Sequence, residues 1–215
     1  MPAAGVKPRL RGLSHAIAFG LVLPLGVALV FDVHTLRGRI GAIVFAVAVA
    51  TMFGASGLYH RVTWSPRRRR WMGRVDHAGI YALIAGTYTP FGLLVLRGES
   101  RIVVLSIVWT GAGSAVVLKV VWVDAPKWLS AAIGLALGWV GVVVFPQLVA
   151  RIGAGGSILV MAGGLAYTVG ALVYALRRPK LFPATFGYHE LFHAFVIAAV
   201  ACHYAAVAFF VLPAH

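Results

Sequence analysis

The chain has 215 residues, 61% of them hydrophobic and only 11% charged, with a mean hydropathy of +0.92. Soluble globular domains carry about 25% charged residues, so the composition argues against a water-soluble fold and for one membrane-embedded domain over residues 1–215. The formal charge of +14 would suit a nucleic-acid partner only if Lys and Arg shared an exposed folded face; here they fall between apolar stretches, where they set topology instead.

Stretches apolar enough to cross ~30 Å of hydrocarbon at ~1.5 Å per helical residue recur at 13–31, 40–60, 75–96, 102–123, 128–149, 157–176 and 188–212. They predict an all-α integral membrane protein, a bundle of seven transmembrane helices. The first stretch follows basic residues as a signal peptide would, but its apolar run is too long and no A-x-A site follows Phe31, so it reads as a retained helix. Runs such as Gly111-Ala112-Gly113-Ser114 and Ala162-Gly163-Gly164, among 25 glycines in all, read as close-packing surfaces between helices. Pro24, Pro90 and Pro146 lie within spans and are expected to kink them or end a turn. The single cysteine, Cys202, offers neither a disulfide framework nor a cysteine zinc site.

Lys and Arg are distributed unevenly. Those before the first span (Lys7, Arg9, Arg11), in the 61–74 loop, between the fourth and fifth spans (Lys119, Lys127) and before the last span (Arg177, Arg178, Lys180) make up fourteen of the 19. Positive loops resist translocation. The count therefore predicts a short cytoplasmic N-terminus (1–12), a cytoplasmic Arg-rich loop (61–74) and an outside C-terminus at His215. The Arg run at 67–70 is either a topology signal alone or also a contact for anionic lipid headgroups.

Ionisable groups inside spans are costly and mark functional candidates. Ser56 and His60 are spaced i, i+4 on one helix face, and His189 and His193 repeat that spacing. Under the assigned orientation His60 ends the second span at the cytoplasmic side, where Asp76 begins the third and His189 and His193 begin the seventh. Three imidazoles at one depth match the three-ligand pattern of a catalytic zinc, with a carboxylate at hand to orient or deprotonate water. Plainer readings stand beside this one: helix packing for the His pair, an Arg74 partner for Asp76, a bond to its own helix backbone for Ser56. His15 shares the depth but reads equally well as an interfacial residue. His77 points about 100° away from Asp76, and His203 lies ~15 Å deeper than His193; His15, His77 and His203 are read as structural hydrogen-bonders. His34 and His215 fall in exposed segments. His189-Glu190-Leu191-Phe192-His193 also fits H-E-x-x-H, in which Glu is the base of a metalloprotease. A further acidic ligand would have to come from Asp76, which ranks that reading below the three-histidine one.

At these residues the chain resembles the hemolysin III branch of the progestin and adipoQ receptor (PAQR) superfamily, to which the adiponectin receptors also belong. The resemblance rests on Ser56-Gly-Leu-Tyr-His60, on Arg74-Val-Asp-His-Ala-Gly-Ile80 with Gly86-Thr-Tyr-Thr-Pro90, and on His189-Glu-Leu-Phe-His193 with Cys202-His203-Tyr204. It implies zinc held by His60, His189 and His193 in a seven-helix bundle of the cell membrane, with Asp76 and Ser56 beside the metal water. It further implies ceramidase-like hydrolysis of a lipid amide or ester, with Asp76 as acid and base. The alternatives are a haemolytic, pore-forming protein with structural zinc and a lipid sensor without turnover.

Overall fold

The computed structural model describes residues 8–179, 181, 182 and 184–213; Lys7, Lys180 and His215, which entered the charge count and the topology, lie outside them. The helices are α1 (Leu13–Phe31), α2 (Leu36–Arg61), α3 (Pro66–Pro90), α4 (Gly98–Val121), α5 (Lys127–Gly138), α6 (Phe145–Leu176) and α7 (Tyr188–Ala206). Single π-helical turns extend α3 through Phe91–Val95 and α7 through Val207–Val211, and a 3-10 segment, Trp139–Val144, joins α5 to α6. Among the described residues extended pairing is limited to one isolated bridge between Phe182 and Phe186.

Six stretches of the described chain are long and apolar enough to cross a membrane. Hydropathy alone marks seven. The difference lies in Lys127–Leu176, 50 residues that contain the fifth and sixth expected spans. A straight helix of that length would measure ~75 Å, more than twice the hydrocarbon thickness. It is not straight: Gly153 leaves helical geometry at φ 66°, ψ −177°, a backbone conformation that glycine adopts without a Cβ penalty. Trp139 Nε1 donates to Thr168 Oγ1 at 3.1 Å, so the chain beyond Gly153 returns beside α5. The molecule is an all-helical, multi-pass membrane protein.

Local sequence explains the helix starts that matter for the site. Thr35 accepts a hydrogen bond from Gly38 N at 3.2 Å and caps α2. Pro66, whose missing N–H costs nothing in a first turn, starts α3. The helix therefore begins well before the expected 75, and most of the Arg-rich stretch forms its first turns rather than a loop. Hydropathy registers where a helix becomes apolar, not where it begins. Pro146 likewise sits in the first turn of α6, Pro24 lies inside α1, and Pro90 is where α3 passes into its π-helical turn.

Large apolar side chains such as Ile17, Leu21, Val47, Ile102, Val117 and Ile158 point outward, as a lipid-facing surface requires. Inside, Phe45, Met52, Phe53 and Tyr81 are almost fully buried: Phe53 meets His15 of α1, Met52 lies against Gly79 of α3, and Phe45 faces Tyr204 of α7. Glycines bring these helices together: a Cβ on Gly79 would lie 3.2 Å from Met52 Cα, one on Gly57 3.2 Å from Ala16 Cα, and one on Gly86 would collide with Ala48. In the runs that sequence marked for this purpose one glycine of each packs closely, Gly111 against Leu137 and Gly163 against His203, while Gly113 and Gly164 face nothing within 4 Å.

Candidate metal centre

The site lies where α2 ends and α7 begins, beside the first half of α3, so three helices bring together residues far apart in sequence. His60 on α2 and His189 and His193 on α7 present ring nitrogens that all fall within 4.8 Å of one another. His60 Nε2 and His189 Nε2 are 3.1 Å apart. The edge of a tetrahedron with ~2.0–2.1 Å metal–nitrogen bonds is ~3.3–3.4 Å, so this pair is already near the spacing of two ligands on one ion. His60 and His193 are 6% and 2% exposed. Nδ1 of both His189 and His193 is buried without a hydrogen-bond partner, an arrangement that costs about 1–3 kcal/mol per group when nothing engages the ring. Three close imidazoles, two of them buried and His189 partly so, fit a divalent ion of the zinc type, and this is the one such group of His, Cys, Asp and Glu among the described residues.

Asp76 lies two and a half turns into α3, 8% exposed, with Oδ2 3.8 Å from His60 Nε2. That is beyond hydrogen-bond length. Arg74, its alternative partner by sequence, turns away: its Nε donates to Val120 O at 2.9 Å and its guanidinium lies over Trp71. Ser56 stands beside the carboxylate. Ser56 does not spend its hydroxyl on its own helix: its Oγ is hydrogen-bonded to His15 Nδ1 at 2.9 Å. Ser56 thus stands between His15 and Asp76.

The structure places His15 inside the cluster, 2% exposed, its ring stacked on that of His193 at 3.7 Å between centroids and 6° between planes. Sequence reads it as a structural hydrogen-bonder, which its bond to Ser56 fits, but does not place it in the cluster; its shared depth is the only signal, because nothing in an all-apolar helix tells which side faces the bundle. His77 stays outside the cluster, and its Nδ1 is buried without a partner. His203 behaves as expected of a structural residue, with Nε2–H donating to Val160 O at 3.1 Å. Glu190 departs from the H-E-x-x-H expectation. One of its oxygens accepts from Arg11 Nε and the other from Gly187 N at 2.8 Å, where it caps α7. Both oxygens are therefore occupied, and Glu190 is not placed as a base.

An elongated cavity of ≈ 210 Å³ opens from the cluster. His15, Ser56, Asp76, His77, His189 and His193 line its polar end; farther along, between α3, α5, α6 and α7, its wall is largely apolar and reaches Phe91, Leu96 and Leu148. From Asp76 to Phe91 it follows α3 for ~22 Å at ~1.5 Å per residue.

Fold and site together define a multi-pass helical membrane protein with a largely buried three-histidine cluster at one end of the bundle. Residues 4–204 match the family described as "Haemolysin-III related", and the chain belongs to that family. It is 30% identical to "Hemolysin-3" of Bacillus cereus over 206 residues, covering 94% of this chain and 90% of the relative. To the "Hemolysin-3 homolog" of Bacillus subtilis (strain 168) it is 29% identical over 201 residues, 92% and 91% of the two chains. An "Adiponectin receptor protein" of Drosophila melanogaster is 29% identical over 213 residues, 86% of this chain and 47% of that protein, as the resemblance to the wider superfamily implies.

Proposed function

We propose that this protein is a zinc-dependent hydrolase of the cell membrane acting on a lipid amide or ester. One observation carries the reading: a three-histidine cluster with a buried carboxylate beside it stands at the polar end of a cavity that is otherwise apolar and long enough for an acyl chain. His60, His189 and His193 would hold the ion. When bound, zinc supplies Lewis-acid chemistry, polarising a carbonyl and acidifying water towards neutrality. The chain's own residues do the rest. The apolar wall past Phe91 and Leu148 takes the lipid tail and so sets the scissile group at the cluster. Asp76 accepts a proton from the attacking water and delivers it to the leaving amine or alkoxide. Ser56, beside the carboxylate, keeps Asp76 turned towards the cluster.

The test is product release from long-chain ceramides and lipid esters by the purified full chain in liposomes, before and after metal removal, with zinc content measured alongside. Release by the loaded protein that is lost with the metal supports the reading. Lipid binding without release would make the protein a sensor. Similarity to "Hemolysin-3" of Bacillus cereus favours a second reading, lysis of cells by a protein whose zinc is structural; leakage of dye-loaded liposomes with no lipid cleavage would establish it.

We further propose that the chain crosses the cell membrane seven times, with the break at Gly153 separating the fifth and sixth crossings. The N-terminus and the exposed Arg67, Arg68, Arg69 and Arg70 then face the cytoplasm, where the four guanidinium groups meet anionic headgroups. Reporter fusions after Arg70 and after Pro213 are expected to read cytoplasmic and outside respectively. A cytoplasmic signal from the second would remove both the seven-span count and the orientation.

A further inference from the structure

α1 carries none of the three histidines of the cluster, yet it is the helix that joins the two that do. α2 and α7 hardly pack on each other, whereas α1 packs along α2 and also touches α7. The distance from His60 to His189 and His193 is therefore set through α1, and three contacts near its N-terminal end do this. Gly12, at φ 78°, lays its backbone against His60 so closely that a Cβ would collide with His60 Cβ. Arg11 pairs with Glu190, a 2% exposed carboxylate in the first turn of α7 between the two histidines of that helix. His15 stacks flat on His193, with Phe53 edge-on to it at 5.0 Å and Ser56 fixing its Nδ1. The segment is itself tied down, since Arg9 N and Leu10 N donate to Ala184 O and Thr185 O at 3.0 and 3.3 Å in the loop before α7.

We propose that segment 11–15 is the positioning element of the metal centre: Arg11, Gly12 and His15 set the spacing and ring orientation of His60, His189 and His193 without binding the ion. His15 is a positioning residue and not a fourth ligand, because two rings stacked within 6° of parallel aim their lone pairs side by side, not at one point ~2 Å from each. Glu190, the apparent base of the H-E-x-x-H pattern, acquires a different job here, as the anchor on α7 that Arg11 holds. The inference rests on the metal-binding reading above but not on turnover.

Its test uses the full chain in detergent and reads zinc affinity by chelator competition, the visible spectrum of the cobalt(II)-loaded protein, and thermal unfolding of the metal-free protein. Arg11→Gln and His15→Ala are compared with Trp109→Phe, which loses a 3.2 Å bond to Thr89 on the α3–α4 face. Arg11→Gln and His15→Ala are expected to weaken zinc binding ~10–100-fold, the range for residues that orient ligands, and to alter the cobalt spectrum, while their metal-free unfolding matches that of Trp109→Phe. His15→Phe, which restores the stacked ring, is expected to recover most of the affinity. Should Arg11→Gln fail to fold with Glu190 left charged and alone, Arg11→Gln with Glu190→Gln takes its place under the same readings. Zinc affinities equal to wild type, or losses matched by an equal loss of metal-free stability, would overturn the proposal. Wild-type protein that binds neither ion would overturn the metal reading itself, and this inference with it.

Discussion

Purified protein in which His189 or His193 is replaced by alanine is expected to lose zinc, with affinity falling more than ~100-fold, beyond the ~10–100-fold that residues behind the ligands command. Each of the three rings supplies one of only three protein ligands in the cluster, so deletion leaves two, and two imidazoles do not hold an ion against free chelator. His60→Ala should behave alike, since its Nε2 lies 3.1 Å from that of His189. His203→Ala is the contrasting variant. It stands ten residues along α7 from His193, or ~15 Å at ~1.5 Å per residue, and its ring is engaged by Val160 O. Zinc content by elemental analysis distinguishes the two sets. Full zinc in His193→Ala together with loss in His203→Ala would move the site to the middle of the bundle and remove the ligand assignment.

The comparison of sequence with structure is informative where it fails. Apolar length located the helices, because lipid leaves the backbone no alternative to internal hydrogen bonding; the i, i+4 spacing of Ser56 with His60 and of His189 with His193 put each pair on one helix face, and the direction in which each helix runs put the two pairs at one level. Helix starts were less legible, as α3 shows: Arg67 to Arg70 are good helix formers but invisible to hydropathy. Orientation about the helix axis was not legible at all. α1 is apolar all round, so no period in its sequence tells that His15 faces His193 while Ile17 faces lipid. Long-range pairing was equally hidden. The local pattern His189-Glu190-Leu191-Phe192-His193 reads as ligand, base, ligand, and only Arg11, 179 positions away, reveals that the glutamate is already occupied. Residues marked by being polar in an apolar span were found; those marked by which neighbour they meet needed the fold.

If the site hydrolyses a lipid amide, Asp76→Asn is expected to retain zinc and lose at least ~100-fold in turnover, the usual contribution of a positioned acid or base. The geometry separates the two roles. Asp76 Oδ2 is 3.8 Å from His60 Nε2, close enough to share the cluster's reacting water, but the carboxylate is not one of the three groups that converge, so its loss should leave the ion in place. Asparagine keeps the size but cannot accept and return a proton at neutral pH, which confines the effect to proton transfer. Ser56→Ala should cost less, because the carboxylate survives and only its orientation is freed, and the same substitution strips His15 Nδ1 of its 2.9 Å partner. The order of activity is therefore wild type, then Ser56→Ala, then Asp76→Asn, at equal zinc content. Ceramide and ester cleavage measured at saturating substrate reads this directly. Equal rates in wild type and Asp76→Asn, both loaded with zinc, would show that the carboxylate moves no proton and remove its assignment as acid and base.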